Sequence, residues 1–163
     1  MFPEKKVYAG VYPRVYLFFG LILVPAESLR ITGVKTVDAI VTAGGIPQPG
    51  DPLYEFTQGR PKALLELAGK PMVQWVLDAL GEAKKINHIV VVGLGEESQL
   101  ASCKPLYYLP NQGGMLENIF AGAQKLLSIH PASQAMVSVS SDVPAITRSS
   151  LVSAICAAIG LRT

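Results

Sequence analysis

A pair of glycines, two cations and one carboxylate carry the chemistry to be expected of this chain. Gly44 and Gly45 follow the apolar, β-branched run 37–42 after Ala43, and Arg60 and Lys62 close the polar stretch that begins with them. Glycine lets a backbone approach a ligand closely and adopt positive φ. The N–H groups of Gly44 and Gly45 can then face phosphate oxygens. Lys62 offers a compact point charge suited to a triphosphate, and Arg60 a forked donor to the same group. Asp142 stands just past a second apolar run, A-M-V-S-V-S over 135–140. A carboxylate there suits a magnesium ion bridging nucleotide phosphates. From these residue types alone two plainer roles stay open. The glycine pair could form a ligand-free tight turn, and Asp142 could cap backbone N–H groups two residues on.

Two common phosphate loops do not match. A P-loop reads G-x-x-x-x-G-K-[ST]; Gly45 and Gly50 have that spacing, but Asp51 and Pro52 follow. A dinucleotide fingerprint reads G-x-G-x-x-G between strand and helix. The nearest match is G-L-G-E-E-S from Gly93 to Ser98, which lacks the third glycine. Glu96 and Glu97 within it would repel a pyrophosphate, so it reads as an ordinary strand-to-helix turn. Gly93 and Gly95 are the only support for a dinucleotide-dependent oxidoreductase.

Positioning these residues requires a particular order of elements. The run 37–42 reads as a buried strand, and 44–60 as a long loop of the kind often tied to function. Residues 71–85 predict a helix, with Pro71 at its first position and Lys84 and Lys85 at its positive-charge-favouring end. Met72, Val73, Val76, Leu77 and Leu80 form its apolar face. A continuous apolar run over 89–94 predicts a strand covered on both faces, and 106–109 a weaker one. The stripe Met115, Leu116, Ile119, Phe120, Ala123, Leu126 and Leu127 predicts a helix. A strand over 135–140 and a helix over 149–159, capped by Gly160, complete the alternation. Strands alternating with helices predict an α/β domain with a mainly parallel sheet. In such sheets ligands bind beyond the carboxyl ends of the strands, where both the glycine loop and Asp142 would stand.

Together these segments resemble the nucleotide-diphospho-sugar transferase superfamily, and within it the molybdenum-cofactor nucleotidyltransferase-like NTP transferases. The matching pieces are V-D-A-I-V-T-A-G-G, G-R-P-K-A-L-L-E-L-A-G-K-P-M-V-Q-W-V-L-D-A-L, I-V-V-V-G and S-S-D-V-P-A-I-T, in order from Thr36 to Leu151. The resemblance implies a three-layer α/β/α sandwich, the Rossmann-like nucleotide-binding half of that fold. It implies nucleotide contacts from the backbone of Ala43, Gly44 and Gly45, phosphate contacts from Lys62, and Mg2+ held by Asp142. Asn111 and Gly114, which precede the second long helix, would contact the base or ribose. The implied reaction is attack by a small phosphorylated acceptor on the α-phosphorus of an NTP, releasing pyrophosphate. The alternative is a nucleotide-binding module of the same fold without catalysis. Two departures bear on these expectations. The family's arginine soon after the glycines is missing, leaving Arg60 as the candidate replacement. Family enzymes also continue past the helix after Asp142 with strands that hold the acceptor and a second metal-binding aspartate. The domain expected over 36–163 therefore reads as incomplete at its carboxyl end.

Composition sets the outer bounds. The 163 residues are 50% apolar and 16% charged, which excludes disorder. The net charge of +2, spread in singles and pairs, argues against a nucleic-acid partner. Cys103 and Cys156 stand far apart with no metal-binding spacing, and reduced thiols are expected. The apolar run 15–24 has ten residues, against the roughly twenty that a membrane span needs, and no good cleavage site follows it. Residues 1–35 read as an appendage outside the core, with a signal or membrane-associated segment as the alternative. A cytoplasmic location is expected, and an exposed sheet edge and apolar surface leave self-association open, with no interface identified.

Overall fold

The computed structural model describes residues 36–133 and 135–158. In chain order the elements are β1 (Val37–Thr42), α1 (Tyr54–Thr57), β2 (Glu66–Leu67), β3 (Lys70–Pro71), α2 (Met72–Glu82), β4 (Ile86–Val92), β5 (Leu106–Leu109), α3 (Met115–Ile129), β6 (Met136–Ser140) and α4 (Arg148–Ala158). Strands β5-β4-β1-β6 form one sheet, in that order, with every pair parallel. β2 and β3 form a small antiparallel hairpin ahead of α2.

Alternation along each strand divides the core into two layers. Ala39 and Val41 of β1, Ile89 and Val91 of β4, and Val137 and Val139 of β6 face Val73, Val76, Leu77 and Leu80 of α2 and Leu151 and Ile155 of α4. Ile40, Val90, Val92 and Met136 face the other way, onto Ile119, Ala123 and Leu126 of α3. Helices on both faces of a parallel sheet make the expected three-layer α/β/α sandwich.

Several element details depart from the sequence expectation. Pro71 closes β3 and stands outside α2, where it precedes Met72. α2 ends at Glu82, so Lys84 and Lys85 lie beyond its last turn. The chain turns there because β4 starts at Ile86, and the Lys85 carbonyl accepts the Val37 N–H at 2.8 Å. In α3 the buried face runs through Asn118, Ile119, Gly122, Ala123 and Leu126, while Met115, Leu116 and Phe120 are exposed. The apolar residues outnumber what one face can bury, and α3 turns Ile119, Ala123 and Leu126 to the sheet. The long loop contains the single turn α1, and Gly160 lies outside the described residues. So do residues 1–35. Among the described residues no helix is long and apolar enough to cross a membrane.

Candidate functional site

The order of the strands creates the crevice. The chain moves outward from β1 to β4 and β5, then returns to β6 on the other side of β1. The carboxyl ends of the parallel neighbours β1 and β6 thus lie side by side, and open α/β sheets bind ligands beyond the carboxyl ends of their strands. The strand ends are tied together by backbone hydrogen bonds from Ala43 to Val92 at 2.8 Å and from Ser141 to Thr42 at 3.0 Å. The glycine loop and Asp142 thus leave the sheet side by side.

Lys62 is seventeen positions beyond Gly45 in sequence but next to it in space. Its N–H donates to the Gly45 carbonyl at 2.9 Å, which folds the loop back on its start. Lys62 then opens a one-turn 3-10 helix, and its Nζ reaches Asp142 Oδ2 at 2.6 Å. The Ser140 hydroxyl donates to Asp142 Oδ1. The hydrogen bond from Lys62 holds the Asp142 carboxyl below the ordinary carboxylate range. Ser140 adds to this, and partial burial opposes it. Asp142 is accordingly an anion at neutral pH, half-exposed at the rim.

The glycines act through the absence of a side chain. Neither Gly44 nor Gly45 has positive φ, contrary to expectation. A Cβ on Gly44 would lie 2.7 Å from the Asn111 side chain, and one on Gly45 would lie 2.7 Å from Cε of Lys62. The positive φ belongs to Gly93, at +106°, where a Cβ would overlap the Gly44 backbone. The turn after β4 is thus packed against the glycine loop, and at Gly93 only glycine permits it.

Asn111 joins the second half of the site to the first. Its Nδ2 donates to the Gly44 carbonyl at 3.2 Å, and its Oδ1 accepts from Gly113 N–H at 3.1 Å and Asn118 Nδ2 at 3.0 Å. Asn118 is buried and accepts the Gln112 N–H at 2.7 Å. Gly114 caps the amino end of α3 without a side-chain bond, and its carbonyl accepts the Asn118 N–H at 3.0 Å. Beside Asn111 a cleft of about 460 Å³ opens, lined by Gly93, Gly95, Glu97, Tyr108 and Pro110 among others. Burial, together with the charges of Glu96 and Glu97, pushes the Tyr108 phenol up from its ordinary value, so it stays a neutral hydroxyl.

The structure brings Ala43, Gly44, Gly45, Lys62, Asn111 and Asp142 to one edge of the sheet. Gly114 is separated from them by the 111–113 turn. Arg60 is exposed, with Nε on the Thr57 carbonyl at 3.3 Å, and no hydrogen bond or ion pair joins it to the others among the described residues. Ser140, Gly93 and Asn118 were missed from sequence. A polar residue on the buried side of an apolar helix was the available signal for Asn118, and a glycine at a strand end for Gly93. A magnesium ion fits the donor set at Asp142, an ionised, accessible carboxylate, since this ion takes one or two carboxylates and completes its shell with phosphates and water.

Comparison with known proteins agrees with this architecture. Residues 39–161 match the family model of the MobA-like NTP transferase domain. Among solved structures, a hypothetical transferase from Thermus thermophilus is similar at 34% identity and a TM-score of 0.52, over 71% of this chain and 44% of that one. A CMP:2-keto-3-deoxy-manno-octonic acid synthetase complexed with CTP aligns at 20% identity and a TM-score of 0.48, over 74% of this chain and 46% of that one. The chain thus spans less than half the length of either structure. No match was found among curated proteins. The match to the family model covers most of the chain, and the chain belongs to the family of MobA-like NTP transferase domains.

Proposed function

We propose that this chain binds a nucleoside triphosphate with magnesium and transfers its nucleotidyl group to a small phosphorylated acceptor. The Lys62–Asp142 pair beside the Gly44-Gly45 loop carries the reading, because it sets a cation and an anion at the crevice where a polyphosphate–metal complex needs both. Backbone N–H groups of Ala43 to Gly45 would line the phosphates, with Lys62 supplying the positive charge and Arg60 a second cation from the same loop. The base and ribose would occupy the side of the crevice held by Asn111 and Gly114, with the Tyr108 hydroxyl as a donor in the adjoining cleft. Asp142 would hold Mg2+, which neutralises phosphate charge when bound.

In the reaction an acceptor phosphate oxygen forms a bond to the α-phosphorus. The bond from that phosphorus to the oxygen bridging to the β-phosphorus breaks, and pyrophosphate leaves with the electron pair. No side chain needs to act as a nucleophile. Lys62 stabilises the charge that accumulates on the phosphoryl oxygens.

A second reading, nucleotide binding without turnover, is favoured by the partners of Asp142, whose two carboxylate oxygens already accept from Lys62 and Ser140. Calorimetric titration of each NTP with magnesium, followed by a pyrophosphate-release assay with sugar and cofactor phosphates, separates the two. Binding with release supports transfer, and binding without release supports the module. A thermal shift with NADH and none with any NTP would overturn both.

A further inference from the structure

The chain has two histidines, and both meet one buried carboxylate on the far side of the sheet from the nucleotide loops. Asp38 is the second residue of β1 and is 1% exposed. Its Oδ1 lies 3.0 Å from Nδ1 of His88, the third residue of the parallel strand β4. Its Oδ2 lies 2.8 Å from Nδ1 of His130, at the carboxyl end of α3. The strands begin at this edge and the glycine loop leaves the other, so the cluster belongs to a separate surface.

Local backbone geometry serves this cluster. The β1–β4 register slips between Val37 and Ala39, which face Ile86 and Ile89, so β4 holds one extra residue there. Such bulges re-aim a side chain and release an amide from the ladder. The His88 N–H, freed in this way, donates to Asp38 Oδ1 at 3.1 Å. The two imidazoles pack with centroids 4.9 Å apart. Their side chains keep 19% and 26% exposure, so the cluster is open to solvent on its outer side. The turn after His130 also buries the Ser133 hydroxyl, which has no hydrogen-bond partner among the described residues.

We propose that Asp38, His88 and His130 form a binding site for a divalent transition-metal ion of the zinc class. Two imidazole nitrogens and one carboxylate suit zinc, cobalt or nickel, whereas magnesium and calcium prefer oxygen donors throughout. One ligand atom from each residue lies within 4.8 Å of the others. A tetrahedral ion with bonds of about 2.0–2.2 Å spaces its ligands roughly 3.3–3.5 Å apart. From 3.0 and 2.8 Å the Asp38–imidazole contacts need to open by about 0.3–0.7 Å to reach that spacing, and the exposed side leaves a position for water. A bound ion would cross-link β1, β4 and α3. The competing arrangement is a metal-free clamp in which Asp38 accepts hydrogen bonds from both rings.

Because the chain holds no other histidine, its imidazole NMR signals report on this site alone. Zinc chloride is titrated into the full chain while the two imidazole signals and the unfolding temperature are followed. The expected result is saturable one-to-one binding, with both signals shifting together, an affinity on the order of micromolar or tighter, and a rise in unfolding temperature with zinc. His130→Gln and His88→Gln should each weaken binding at least tenfold, and Asp142→Asn should leave it unchanged. Absence of saturation into the millimolar range, or unmoved imidazole signals during binding, overturns the site in favour of the hydrogen-bonded clamp. Zinc affinity retained in both histidine variants does the same. If a variant does not fold, the wild-type imidazole signals decide alone. None of these readouts depends on nucleotide binding.

Discussion

Lys62 and Asp142 neutralise each other across the crevice, and a triphosphate would compete for the lysine. On the proposed function, removing the lysine should cost affinity directly. In calorimetric titrations Lys62→Ala is expected to weaken NTP binding by more than about tenfold, a typical loss of one charged contact. Arg60→Ala should cost less, since Arg60 stands apart from the pair. Unchanged affinity in Lys62→Ala would remove the lysine from the site. Asp142 also makes a prediction in pH. Its carboxyl is held low chiefly by the hydrogen bond from Lys62. A lowered carboxyl contributes stability that is fully present above the ordinary value of about 4 and is lost as pH falls through the lowered one. Urea unfolding of the wild type and Asp142→Asn should thus differ by a constant amount from neutral pH to about 4, with the gap closing below. Side-chain exposures of 32% and 39% limit that amount to at most about 1 kcal/mol. A gap that widened on acidification would contradict this.

The elements carry the site through tight backbone contacts. The turn after β4 touches the glycine loop at Gly93 and Gly44, with no room for a methyl group. Gly93→Ala combines a forbidden φ with a backbone overlap. It should destabilise the fold by about 1–3 kcal/mol and weaken nucleotide binding, since Gly44 must move; denaturant midpoints and NTP titrations check both effects. Leu80 of α2 is fully buried between the helix and the sheet. Leu80→Ala should lower stability by about 2–5 kcal/mol, with NTP affinity unchanged wherever the protein stays folded. A fall in affinity comparable to that of Gly93→Ala would show that α2 packing, and not the local backbone contact, sets the loop.

Across the whole molecule, cooperativity should concentrate where both core layers share a strand. β1 pairs on both sides and contributes Ala39 and Val41 to one layer and Ile40 to the other. Hydrogen exchange should be slowest in β1 and β4 and faster in β5, an edge strand of the described sheet whose residues are only half-buried. Equal protection in β5 and β1 would argue against that hierarchy. Much of this architecture was legible in the residues. The apolar, β-branched run of β1, the apolar run of β4 and the helical spacing in α2 each follow from local chain geometry, and the alternation of elements specified a parallel sheet. Glycines and an aspartate at strand ends, with a lysine closing the loop after the first strand, pointed to phosphate chemistry, because ligands bind beyond the carboxyl ends of strands in open α/β sheets. Tertiary contact alone decided the rest. It made the glycines a matter of space and not of φ, since only the folded chain brings Lys62 and Asn111 against them. It selected Ile119, Ala123 and Leu126 over Met115 and Phe120 as the apolar part of the buried face of α3, a choice that periodicity leaves open. It also joined Asp38, His88 and His130, which are too far apart in sequence for any spacing rule to connect and meet only because β1, β4 and the end of α3 share one edge of the sheet.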